Sequence, residues 1–138
     1  MAIGPNETVL REIYDRYAKG DADYLFSKLS NDIVWKSSGN PDVLPTAGVR
    51  RGHAGVREFF AKLQPDWDIQ KHDMLEVIAQ GDSRFAVRVA VAGIHRRTKG
   101  RAQFEKVDLV TMKDGKCISY EEVLDTATLE RAAGHGSE

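Results

Sequence analysis

Cysteine is almost missing from this 138-residue chain: Cys117 stands alone. One thiol makes no intrachain disulfide and supplies no cysteine zinc cluster, so a reduced, cytoplasmic setting is the expectation. No surplus of positive charge exists either. Twenty Lys and Arg against 21 Asp and Glu leave a formal charge of −1, which argues against a nucleic-acid partner. No apolar run approaches the ~18 residues that suggest a membrane span, and the opening Met-Ala-Ile-Gly-Pro-Asn-Glu lacks the apolar stretch of a secretory signal. The histidines (His53, His72, His95 and His135) show no H-x-x-x-H spacing, and no glycine-rich phosphate motif occurs, so neither a metal nor an organic cofactor is expected. No repeat or linker divides the chain. It reads as one domain over residues 1–138, with a structured core at about 7–130.

What is present changes period midway. Val9, Leu10, Ile13, Tyr14 and Tyr17 recur at spacings of three and four, the stripe of an amphipathic helix that Gly20 ends. Asp21 is placed to cap a short helix carrying Leu25, Phe26 and Leu29. Ile33, Val34 and Trp35 read as a strand. Residues 37–52, punctuated by Gly39, Pro41, Pro45, Gly48 and Gly52, read as a long irregular loop, the kind that often forms a rim or lid. Val56, Phe59, Phe60 and Leu63 mark a third helix, stopped by Pro65. Beyond it, residues 74–79, 85–94, 104–112 and 118–124 are strand-like and separated by turn sequences. Asp114-Gly115 is the strongest hairpin signal among them. Residues 127–133 have room for a last helical turn or two before a loose tail. Helices followed by a meander predict an α+β domain with the helices on one sheet face.

Several phrases, in this order, resemble the SnoaL-like branch of the ketosteroid-isomerase-like superfamily, also named after nuclear transport factor 2. They are Tyr17-Ala18-Lys19-Gly20-Asp21, Asn31-Asp32-Ile33-Val34-Trp35, the stretch from Ala47 to Phe60, Gln80-Gly81-Asp82, Asp114-Gly115-Lys116 and Glu122-Val123-Leu124-Asp125-Thr126. The resemblance implies a cone: three N-terminal helices packed on a curved, mainly antiparallel sheet, around a pocket for a small apolar molecule. It also implies a homodimer formed through the outer sheet face, where Val107, Leu109 and Thr111 would lie. The fold hosts isomerases, cyclases, hydratases and dehydratases as well as non-catalytic binding or dimerisation domains, so both an acid/base enzyme and a plain binder fit it.

Carried across residue by residue, the resemblance puts Trp35, Ser37, Asp108, Tyr120 and Glu122 on the pocket side, with Tyr17, Phe60 and Val89 as further wall. Asp108 is the leading catalytic candidate. It sits between Val107 and Leu109, where an apolar strand disfavours the charged carboxyl, and it falls on the neutral acid of ketosteroid isomerase, a case already described for that enzyme. The alternative is an outward-facing, solvated Asp108. Glu122, two residues beyond Tyr120, is the second carboxyl; its alternative is an outer-surface pairing with Lys106 or Arg88. The base of ketosteroid isomerase falls on Ser37, which is no base by itself, and its oxyanion-donor tyrosine falls nearest Ile13, with Tyr14 and Tyr17 close by. Of the remaining polar residues, His53 is expected at the surface or as a cap, His72 and His95 in solvated stretches, and Arg50-Arg51 solvated. Cys117 is expected to be inert packing.

Overall fold

The computed structural model describes residues 2–135; Met1 and residues 136–138, part of the expected loose tail, lie outside the described residues. Helices α1 (Pro5–Ala18), α2 (Ala22–Ser27) and α3 (Gly52–Leu63) interleave with strands β1 (Leu29–Ser37) and β2 (Gly48–Arg51). Then come β3 (Trp67–Gln80), β4 (Arg84–His95), β5 (Arg101–Lys113), β6 (Lys116–Val123) and α4 (Thr126–Ala132). The six strands form one curved, unclosed sheet in the order β2-β1-β6-β5-β4-β3. The β1–β6 contact is parallel and the others are antiparallel.

Local chemistry explains most of the boundaries. Pro5 opens α1, where its missing N–H costs nothing. The free amides of Asn6 and Glu7 donate to the Asp82 carboxylate at 3.0 Å, so a residue in the β3–β4 turn caps the first helix. Asp21 and Asp125 cap α2 and α4 by accepting from the amides of Tyr24 and Thr128. At the β5–β6 hairpin Asp114 and Gly115 both take positive φ (51° and 77°), the conformation a two-residue type I′ turn demands.

Along β5 burial alternates strictly. Ala102, Lys106, Asp108, Val110 and Met112 face the helices, while Val107 and Leu109 face outward and are exposed. The main core gathers Leu10, Ile13, Ile33, Trp35, Val56, Phe59, Val87, Val89 and Met112 between α1, α3 and the sheet. A smaller cluster packs Leu44, Ala47, Trp67, Ala102 and Leu129 beneath α4.

Three expectations need correction. The segment 37–52 is not wholly irregular: β2 pairs with the end of β1 in the register Lys36↔Val49 and Trp35↔Arg50, and Leu44 and Ala47 are buried. The third strand begins at Trp67, seven residues before the apolar alternation at 74–79 announces it. Register shifts between Ile69/Lys71 and Met74/Glu76 break its parity, and its polar residues suit a sheet edge. Finally, Arg50 is held rather than solvated. Its guanidinium donates to the carbonyls of Thr46 (2.6 Å) and Pro45 (2.9 Å) and meets Glu58.

Candidate active site

Helix α1, helix α3, the inner sheet face, the 38–47 loop and α4 line a partly open cavity of about 120 Å³. Its wall is almost wholly apolar, with Leu10, Ile13, Tyr17, Leu44, Phe59, Phe60, Trp67, Val91, Phe104 and Leu129 among the lining residues. Apart from Tyr17, Thr46 and His72, the polar side chains gather in one group: Tyr14, Lys106, Asp108, Tyr120 and Glu122.

The strand ladders build this group. Asp108 on β5 is the direct cross-strand partner of Glu122 on β6, and Val110 that of Tyr120. Lys106, two residues before Asp108, leaves the sheet on the same face. Lys106 Nζ donates to Glu122 Oε2 at 2.9 Å and to the Tyr120 hydroxyl at 3.0 Å, and lies 3.2 Å from Asp108 Oδ1. The Tyr120 hydroxyl stands 3.1 Å from Asp108 Oδ1 and 3.0 Å from Glu122 Oε2, so it bridges the two carboxyls. Tyr14 reaches down from α1 and donates to Asp108 Oδ2 at 2.5 Å. Ser37 Oγ donates to the other oxygen of Glu122 at 2.7 Å.

The two carboxyls are driven apart electrostatically. Burial raises the pKa of Asp108, and Glu122 raises it further; the Lys106 cation and the Tyr14 hydrogen bond only partly offset this. Burial also works against the Glu122 anion, but the adjacent Lys106 charge and the bonds from Lys106, Ser37 and Tyr120 outweigh it, so the Glu122 pKa is lowered. Lys106 resists the desolvation that would strip its proton, because Asp108 and Glu122 both hold the charged form. One cation and two anions would leave a net charge in a buried cluster. A protonated Asp108 beside Lys106⁺ and Glu122⁻ leaves none.

The predicted residues divide as follows. Asp108, Glu122, Tyr120, Trp35, Tyr17 and Phe60 come together on the cavity wall. Ser37 is buried just behind it, bonded to Glu122. Val89 faces inward but is fully buried core, not wall; on β4 the wall is Val91 and Gly93.

The sequence offers Lys106 only as an outer-surface partner of Glu122, whereas it is the buried centre of the cluster. The signal was available, since the parity that turns Asp108 inward turns Lys106 inward too. His72 was expected in solvent yet lines the cavity, stacked on Tyr14 and edge-on to Tyr17 at 4.8 Å between ring centroids. Burial, with the Lys106 charge, lowers its pKa to about 3, so the imidazole is neutral. Its inward turn depends on the β3 register shifts, which leave no periodic trace in sequence. His95 is likewise buried, edge-on to Trp67 at 5.0 Å, with Nδ1 accepting from the Thr98 amide. His53 is half-buried outside the cavity, its Nε2 3.0 Å from the Leu29 carbonyl. Cys117 is buried at the cavity wall, where desolvation pushes its pKa up to about 12, so it stays a thiol. Among the described residues no group of three His, Cys, Asp or Glu is placed to hold a metal ion.

With this geometry in view, the sequence profile of the SnoaL-like domain family matches residues 10–120. No curated protein is significantly similar in sequence. Among solved structures, an NTF2-like protein from Burkholderia xenovorans LB400 is 27% identical, with a TM-score of 0.80 over 96% of this chain and 98% of that one. An NTF2-like protein from Burkholderia pseudomallei K96243 is 20% identical with a TM-score of 0.86 over 95% and 98%. TerC, crystallised with polyporic acid, is 24% identical with a TM-score of 0.84 over 95% and 99%.

Proposed function

The chain belongs to the SnoaL-like domain family, and from that premise we propose that it is an acid/base enzyme acting on an apolar, carbonyl-bearing small molecule held in the cavity. One observation carries this reading. Asp108, fully buried, touches two tyrosine hydroxyls and stands beside a second carboxyl whose ionisation is pushed the opposite way. Titratable neighbours with opposed protonation preferences are the signature of assigned acid and base roles.

The roles follow from the bonds. The bond that Tyr14 donates to the ionised Asp108 Oδ2 reverses when Asp108 is protonated: the acid then donates to the Tyr14 oxygen and frees the Tyr14 O–H to meet a ligand oxygen, so charge developing there is met by a tyrosine backed by an acid. Glu122 is the anion that accepts a proton from the ligand's carbon or from water. Where the ligand oxygen takes the Tyr14 proton, the Asp108 proton replaces it on Tyr14, so Glu122 ends with a proton gained and Asp108 with one lost. Tyr120, in contact with both, passes a proton from Glu122 back to Asp108, and the pair is reset. Isomerisation, cyclisation, hydration and dehydration all use these moves. Lys106 is no nucleophile here: it stays protonated and its donors face Glu122, Tyr120 and Asp108.

The test is proton exchange. Protein in D₂O is incubated with cyclohexanone, 2-cyclohexenone and 2-tetralone, and loss of the carbon-bound protons next to the carbonyl is followed by proton NMR. Exchange of at least one ketone faster than in the Asp108→Asn variant and the protein-free blank is the expected result. No excess exchange with any of the three leaves a non-catalytic binding domain instead.

A further inference from the structure

Among the described residues, two side chains that line the cavity carry a buried nitrogen with no hydrogen-bond partner: Trp35 Nε1 and His72 Nδ1. The acid/base exchange described above uses neither. Buried polar atoms are overwhelmingly paired, so each orphan calls for a partner that the chain itself does not provide. Trp35 is only 4% exposed, and an indole N–H can donate but never accept.

Their placement is paired. The Trp35 ring stacks on Tyr120 with centroids 3.9 Å apart, and the His72 ring lies parallel to Tyr14 at 6.1 Å. Tyr120 and Tyr14 are the two hydroxyls that touch Asp108. Each tyrosine at the acid thus has beside it an aromatic ring carrying an unpartnered nitrogen. A ligand oxygen at the tyrosines leaves these nitrogens for a second polar group on the same molecule.

Charge narrows the class. Among the described residues Lys106 is the only Lys or Arg lining the cavity, and its contacts are taken up by Asp108, Glu122 and Tyr120; His72 is neutral. No free cation awaits a carboxylate or phosphate. Size narrows it again: an engineered apolar cavity of about 150 Å³ takes benzene, so the space of about 120 Å³ here, which is open on one side, is on the scale of a single ring whose substituents reach the mouth.

We propose that the cavity binds a neutral, single-ring molecule bearing two oxygen functions, one at the Tyr14–Asp108 end and a second that accepts from Trp35 Nε1 and stands within reach of His72. This assignment rests on the cavity being the ligand site, but not on catalysis there.

The probes are phenol, with one oxygen, and catechol, resorcinol and hydroquinone, with two at three spacings, titrated under nitrogen into ¹⁵N-labelled protein. At least one diphenol binds tenfold or more tighter than phenol and moves the Trp35 indole N–H resonance downfield, whereas phenol does not. Trp67→Phe assigns that resonance, because the chain has only two tryptophans. Trp35→Phe keeps an aromatic ring, loses the donor and removes the difference between diphenol and phenol. Equal binding of all four probes, no binding of any, or a preference that survives in Trp35→Phe overturns the proposal. Should Trp35→Phe fail to fold, the indole resonance decides alone: no downfield shift with the tightest diphenol overturns it. A wild-type protein that prefers diphenols but exchanges no ketone would sink only the acid/base reading.

Discussion

Asp108 and Glu122 are direct partners across the β5–β6 ladder, so two carboxyls leave the sheet side by side into an apolar chamber. Like charges opposite each other on one face destabilise a sheet, and burial magnifies the repulsion. Two features relieve it here. Lys106 arrives on the same face through the period of β5, and burial raises the pKa of Asp108, which favours its uncharged form. The arrangement costs stability that a hydrophobic trio would not, which is the usual condition of a functional cluster.

Lys106→Met is expected to destabilise the protein by about 3–5 kcal/mol at neutral pH, the usual cost of stranding one member of a buried ion pair. Glu122 is then an anion without its cation. The double variant Lys106→Met/Glu122→Gln should recover most of the loss. Urea denaturation of the singles and the double measures the coupling. Equal losses in single and double variants would mean that Lys106 contributes by packing alone.

His72 makes a separate pH prediction. Its folded-state pKa of about 3 lies below the ordinary 6.5, so below pH 6.5 the unfolded chain takes up a proton that the folded imidazole refuses. Stability from this group is therefore full above pH 6.5 and falls as pH drops toward 3. The loss is about 2 kcal/mol at pH 5, from 1.36 kcal/mol per unit. His72→Phe lacks the titration, so its midpoint should fall less between pH 7 and 5 than that of the wild type. Parallel curves for the two proteins would place His72 in solvent.

Much of this was legible in the chain, for identifiable reasons. The α1 stripe, the Asp114-Gly115 hairpin and the alternation through Asp108 each follow from one local rule, and each stands in the fold as read. Trp35 is buried, so the register of β1 was read correctly. What escaped depends on non-local pairing. Strand β2 exists because β1 offers an edge, and Leu44 is buried because a second cluster forms beneath α4. The inward turn of His72 depends on two register shifts in β3. Lys106 was missed for another reason: a lysine is read as surface by default, against the strand parity that here decides.

The 38–47 loop contributes Leu44 and Thr46 to the cavity wall, and Arg50 pins it through the Pro45 and Thr46 carbonyls. With the Arg50 side chain only 8% exposed, these charge-assisted bonds are poorly replaced by water. Arg50→Ala should lower stability by about 1.5–3 kcal/mol and speed amide exchange in residues 38–47 at least tenfold, leaving β4 and β5 protected. Hydrogen exchange read by mass spectrometry reports both regions at once. Unchanged exchange in the loop would mean that the buried Leu44 holds it unaided.

Asp108→Asn separates the two roles a buried carboxyl can have. Burial raises the folded-state pKa of Asp108 above its unfolded value of ~3.9. Its contribution to stability is therefore complete below that unfolded value and is lost as pH rises through the folded one, because the unfolded chain ionises more readily. Asparagine keeps the shape and can still accept from Tyr14, but it never ionises and cannot deliver a proton. The variant should match the wild type near pH 4 and gain on it as pH rises to 8, while ketone exchange disappears. Carboxyl titration by NMR, with unfolding midpoints of both proteins at pH 4, 5 and 8, supplies the comparison. An ordinary Asp108 titration together with a strongly destabilised Asn variant would make the group a structural anion held by Lys106 and Tyr14, and the acid assigned to this cavity would have to be sought elsewhere.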